Sequence, residues 1–141
     1  MRSGINQFFE NTLRAKLKNA RWSWGAVDPV SNHVFLRVWE DNIKPDGVGE
    51  KVVVYWKNPT RELSLGYIER RKHLQAIKNG AQGIGVVCRA VDPHAKPRTI
   101  ADFEKDALVL LGALSEDDRA IYAQVVRWIP ISEFNRKPSR S

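Results

Sequence analysis

Five runs rich in Val, Ile, Leu and aromatic residues dominate the chain: VFLRVW (34–39), KVVVYW (51–56), GIGVVCRAV (83–91), ALVLLGAL (107–114) and AIYAQVVRWI (120–129). Branched and aromatic side chains suit a pleated surface, and turn-forming residues separate the runs. Such a chain must place most of its buried surface in a sheet. Residues 21–28 alternate, with Trp22, Trp24 and Ala26 on one face, and DPVSNH (28–33) has turn chemistry. Residues 21–28 and 33–40 therefore predict an antiparallel hairpin.

Helical spacing occurs twice. Over 5–19, Ile5, Phe8, Phe9, Leu13 and Leu17 form an apolar stripe, with Lys16 and Lys18 in the last turn and Asn19 as a stop. Over Tyr67–Asn79, Ile68, Leu74 and Ile77 share a side, and Gly80 ends the helix. NIKPDGVGE (42–50) is expected to be a loop, and 99–104 a short helical turn inside a polar connection. Residues 120–134 close as a strand whose ladder Pro130 ends. The order α-β-β-β-α-β-β-β argues an α+β fold with a mixed or mainly antiparallel sheet and two main flanking helices. A short sheet escapes its exposed edges by curling, so a small β-barrel is expected. The length fits one domain, taken as 1–134, with a basic tail over 135–141.

Composition narrows the function. The single cysteine, Cys88, excludes a disulfide framework and leaves no zinc site of the usual kind; it reads as a small buried hydrophobe. No apolar run is long enough to span a bilayer, and the N-terminus lacks a signal-peptide pattern, so a cytoplasmic protein without a membrane partner is expected. The net charge of +7 favours a polyanionic partner, because neutralising phosphates releases counterions.

The segments FFENTLRAKLKNARWSWGAV, VFLRVWED, GYIERRKHLQAIKNGAQGIGVVCRAVD and LGALSEDDRAIYAQVVRWIPISEF span almost the whole chain. Together they resemble a domain of bacterial proteins described as HNH endonucleases, in which it stands apart from the nuclease part. More distantly, the order is similar to the PUA-like superfamily, which includes EVE, YTH and ASCH domains. That resemblance implies a small barrel with an aromatic-lined pocket for a modified base, and a role linked to restriction. The chain carries no HNH part, so the resemblance implies a reader without a nuclease of its own, with a separate nuclease as a possible partner.

Trp22, Trp24 and Trp39 fall within eighteen residues. Two residues apart on a strand, Trp22 and Trp24 share a face and are either core or one wall of a base pocket. Trp39 stands beside Glu40 and Asp41, where a carboxylate can accept from an exocyclic amine or simply be solvated. The base-pocket set is Trp22, Trp24, Trp39, Asp41 and Tyr67. Trp128 reads as packing, and of Tyr55 and Trp56 only one can face the core. On the second helix Arg70, Arg71, His73 and Lys78 are the phosphate-binding candidates. The alternative is a solvated face in which Glu69 pairs with Lys72 or His73.

No catalytic residue emerges. His33, His73 and His94 lack metal spacing, GAQGIGVV enters a strand rather than a helix, G-x-S-x-G is absent, and no spacing ties Asp28, Glu40, Asp41 and Glu50 together. No cofactor is expected. The expectation is a nucleic-acid reader, with DNA favoured over RNA; the alternatives are an RNA-binding PUA/ASCH-like module, a nuclease or other enzyme, or a protein-interaction module.

Overall fold

The computed structural model describes residues 4–13, 15, 17, 23–28, 30–95 and 99–136, with side chains through Phe134. Trp22 lies outside the described residues, as do Lys16, Lys18, Asn19 and the tail from 137 onward.

Helix α1 (Gly4–Gln7) widens into a π turn over Phe8–Thr12. The Leu13 amide donates to the Phe8 carbonyl, five residues back, at 3.0 Å. The helix expected over 5–19 therefore ends early. Leu13 is its C-cap, the Ala15 amide donates to the Phe9 carbonyl at 2.9 Å, and Leu13, Ala15 and Leu17 are all buried.

Strands β1 (Gly25–Asp28) and β2 (His33–Trp39) form the expected antiparallel hairpin, with Gly25 opposite Leu36 and Asp28 opposite His33. The Asp28 carboxylate fixes its turn by accepting from the Val30 amide and the Ser31 hydroxyl. After a 3-10 turn at Glu40–Asn42 comes β3 (Ile43–Pro45), paired with β4 (Glu50–Trp56). The loop expected over 42–50 is thus largely a second hairpin. Asp46 Oδ1 accepts from the Val48 and Gly49 amides, tightening the turn, and Gly47 supplies a φ of 98°.

Helix α2 (Leu65–Lys78) starts two residues before its expected position and ends at Gly80, whose φ is 115°. Strands β5 (Gln82–Ala90), β6 (Ile100–Phe103), β7 (Ala107–Glu116) and β8 (Ala120–Pro130) complete the sheet, and α3 (Ile131–Arg136) follows. Residues 100–103 are strand rather than the expected helical turn, because Cys88–Ala90 offer them a free edge. Residues 131–136 are helix rather than strand end and tail, since Pro130 stops the ladder.

All eight strands belong to one sheet, ordered β1-β2-β5-β7-β8-β4-β3 with β6 beside β5. Strands β2 and β5 pair in parallel and the other pairs are antiparallel. The fold is α+β with a mixed sheet, as expected. The expected closed barrel is not formed by this pairing, because among the described residues no ladder joins β2 to β4. The sheet nevertheless curls. Val34, Leu36 and Val38 of β2 share a buried cluster with Val52 and Val54 of β4, although three strands separate β2 from β4 along the pairing path. The opposite faces of β2 and β5, through Phe35, Ile84, Val86 and Cys88, pack on Phe8, Phe9 and Leu13. An open seam between β2 and β4 results. No helix among the described residues is long and apolar enough to cross a membrane.

Candidate functional site

A cavity of about 530 Å³ opens at the seam, within the range of about 300–1,000 Å³ typical of ligand sites. Trp24 and Trp39 line it from the β1–β2 side, with ring centres 5.5 Å apart and planes tilted by 56°. Tyr55 of β4 and Tyr67 of α2 form a second pair, 5.3 Å apart and near edge-to-face at 70°. Trp56, 47% exposed, adds a fifth ring.

The local sequence explains this arrangement. Trp39 and Trp56 are the last residues of β2 and β4, so each reaches the rim where its strand stops. The β4 register against β8 slips between Val53 and Tyr55, leaving Val54 as the extra residue of a bulge. The bulge leaves the Val54 carbonyl to a side chain: Arg70 Nη1 donates to it at 2.5 Å. Arg70 Nη2 donates to the carbonyls of Arg37 on β2, at 3.0 Å, and of Trp24, at 3.2 Å. One guanidinium thereby ties both banks of the seam. Burial pushes the Arg70 pKa down to about 10, with Glu69 opposing the shift and the Arg37 cation adding to it, so the group stays charged at neutral pH.

Glu69 grips the same segment from the other side. Its Oε2 accepts from the Ser23 hydroxyl at 2.8 Å and its Oε1 from the Trp24 amide at 3.2 Å. Trp24 is thus held at both its N–H and its C=O by adjacent residues of α2, the helix that also supplies Tyr67. Arg37 lies 5.4 Å from the Trp24 ring centre and donates to Asn6 Oδ1 at 2.9 Å; burial holds its pKa below the ordinary arginine value. Arg61 lies over Tyr67 at 5.8 Å.

Of the sequence-predicted pocket residues, the structure brings Trp24, Trp39 and Tyr67 together. Asp41 is exposed on the 3-10 turn and does not line the cavity; its neighbour Asn42, 9% exposed, does. The predicted phosphate band does not hold. Arg70 donates inward to three carbonyls, and His73 is buried against Gly25. Arg71 is exposed but braces the site, donating to the Tyr55 hydroxyl and the Glu62 carbonyl, each at 2.8 Å. Lys78 is exposed, about 20 Å along α2 from the cavity end. Glu69, expected to pair with Lys72 or His73, instead bonds Ser23 and Trp24. Trp128, expected to pack, is 41% exposed.

Sequence reasoning missed Arg37, Asn42, Arg61 and the α2 N-terminus. A signal existed for the last: Ser64 directly before Leu65 is a helix-start pattern. Among the described residues, no three His, Cys, Asp or Glu side chains gather to hold a cation, so Asp28, Glu40, Asp41 and Glu50 do not converge.

Fold and site together define an α+β protein with a curled mixed sheet and an aromatic cavity at its seam. No protein-family model, curated protein or solved structure matches the chain.

Proposed function

We propose that this chain is a nucleic-acid reader whose cavity admits one extruded base, DNA bearing a modified base being the favoured ligand. The observation that carries the reading is the lining of the cavity: among the described residues, five aromatic rings, three arginines and no carboxylate. Flat rings on both banks suit stacking against a base, at about 1–3 kcal/mol per base. Aromatic cages also take quaternary ammonium groups. Here the neighbouring Arg37, Arg61 and Arg70 disfavour a cation; Glu69 partly offsets Arg37 and Arg70, but it is buried on Ser23 and Trp24 and does not line the cavity. The chain's net charge of +7 points the same way. The curled sheet is compatible with a PUA-like barrel whose seam serves as the mouth. The connection to restriction, and to a separate nuclease, rests on the resemblance of the sequence segments alone.

Tryptophan fluorescence tests the reading. Oligodeoxynucleotides with N6-methyladenine, 5-methylcytosine or unmodified bases are titrated at two salt concentrations, with ribo-oligonucleotides as competitors. Quenching that saturates at lower concentration for one modified DNA is expected. Equal, weak, non-quenching association for every oligonucleotide would remove the pocket from the reading.

A further inference from the structure

The predicted phosphate contacts on the outer face of α2 are largely engaged elsewhere, which raises the question of where the backbone next to a bound base would go. Residues Ser64, Leu65, Gly66 and Tyr67, the start of α2, line the cavity. The first intrahelical bond runs from the Ile68 amide to the Ser64 carbonyl, so the amides of Leu65, Gly66 and Tyr67 precede the ladder. Ser64 occupies the N-cap position without capping: its hydroxyl donates to the Arg61 carbonyl at 2.8 Å. The first turn holds no acidic residue. The positive end of a 14-residue helix is therefore uncompensated where it meets the cavity.

A separate observation points to a polar ligand. Asn42 is 9% exposed and lines the cavity, and its side chain has no hydrogen-bond partner among the described residues. An amide left unbonded at a cavity wall offers both a donor and an acceptor to a polar ligand edge. Arg61, on the same rim, pairs with no carboxylate among the described residues and is held over Tyr67. Gly66, at the second helical position, puts no side chain of its own over these amides.

Resting on the base-reading proposal, we infer that the ligand is a nucleotide whose phosphate sits on the N-terminus of α2. The Leu65, Gly66 and Tyr67 amides donate to its oxygens, Arg61 flanks it, and Asn42 meets a polar edge of the base inside. The cavity is thus specific for a base carrying an adjacent phosphate, not for the base alone.

The test compares 2′-deoxynucleosides, their N6-methyl and 5-methyl forms, and the 5′- and 3′-monophosphates of each, by tryptophan quenching of the full chain. One monophosphate series should bind about tenfold or more tightly than its nucleosides, as charge-assisted bonds to backbone amides require. In Arg61→Glu and Gly66→Asp that ratio should fall toward one; an Asp in the first turn favours the helix, and circular dichroism confirms that each variant scored is folded. Nucleosides that bind as well as their monophosphates, or a ratio that survives both variants, would overturn the phosphate site while leaving the base reading intact. Binding by neither nucleosides, monophosphates nor modified oligonucleotides would overturn both.

Discussion

Replacing Arg70 by Met tests the physical basis of the site most directly. The guanidinium makes three bonds, to the carbonyls of Val54, Arg37 and Trp24. Methionine keeps an apolar stem of similar reach but takes the donor from the Val54 and Arg37 carbonyls; the Trp24 carbonyl keeps the Arg37 amide at 2.8 Å and loses one of two bonds, at about 1 kcal/mol. A stranded buried acceptor costs about 1–3 kcal/mol. Against this stands the relief of removing a buried cation: a pKa lowered from 12.5 to about 10 corresponds to about 3 kcal/mol. The balance is a loss of about 2 kcal/mol, appreciable against the roughly 5–15 kcal/mol of a typical domain yet compatible with folding. With a urea slope of about 2 kcal/mol/M, the midpoint should fall by about 1 M. Urea titration by circular dichroism reads the midpoint, and the emission of Trp24 and Trp39 reads the seam. Arg71→Met is the control, since its side chain is exposed and, among the described residues, bonds Tyr55 and Glu62 alone. A loss for Arg70→Met below about 1 kcal/mol, or no larger than the control's, would refute the claim that this cation holds the banks of the seam.

Four further outcomes follow from the same structure. Gly25→Ala would place a Cβ 2.5 Å from the Phe35 carbonyl and 3.0 Å from His73 Nδ1; a loss of about 1–3 kcal/mol is expected in urea, whereas Gly49→Ala, with nothing within 4 Å, should be near neutral. Burial raises the Cys88 thiol from 9.0 to about 12. The unfolded chain therefore sheds this proton first, and the stability involved is complete below pH 9 and declines through the window to 12 by up to about 1.4 kcal/mol per pH unit. Cys88→Ala should flatten that decline relative to the parent; parallel midpoint curves at pH 8, 9.5 and 10.5 would contradict it. Trp24→Ala and Trp39→Ala should each weaken binding of the preferred modified oligonucleotide by roughly 5- to 150-fold in fluorescence titrations, the loss of one stacking partner. Arg61→Gln should lower the slope of log K against log salt by about 0.7–0.9, one phosphate contact's worth; an unchanged slope would mean that Arg61 meets no phosphate.

Where local pattern decides structure, the sequence was readable. The strand at Lys51–Trp56, the 33–40 arm of the first hairpin and the helix ending at Gly80 all appear, because alternation, β-branching and a terminal glycine act within a few residues. Trp24, Trp39 and Tyr67 were singled out as rings on strands and a helix start, and the structure gathers them at one cavity. The unreadable parts depend on distant partners. Residues 100–103 pair as strand because β5 leaves an edge there, and no local period announces that. Arg70 looked like a surface cation in a basic helix; its inward turn depends on a bulge at Val54 and on strand β2, sixteen and more residues away. Asn42 was hidden by Asp41, whose charge drew the functional assignment although the turn points the neighbour into the cavity. The early end of the first helix depends on a widened turn at Phe8–Thr12 that helical spacing cannot register.

The seam and the cavity are one feature. A sheet that curls but does not pair β2 with β4 leaves carbonyls facing a gap, and buried carbonyls require donors. Direct strand pairing would satisfy them at a separation of about 4.8 Å and leave no room for a ligand. A guanidinium satisfies three carbonyls at once while keeping the strands apart by its own width. Because the satisfying group comes from α2, the same helix sets the spacing of the banks, fixes Trp24 through Glu69, contributes Tyr67 and presents its positive end at the rim. Residues 64–70 therefore set much of the cavity's shape and, with Arg37 and Arg61, its charge. It follows that substitutions in this segment should change binding and stability together, whereas substitutions at Trp39 or Trp56, which end strands without bridging them, should affect binding more than stability.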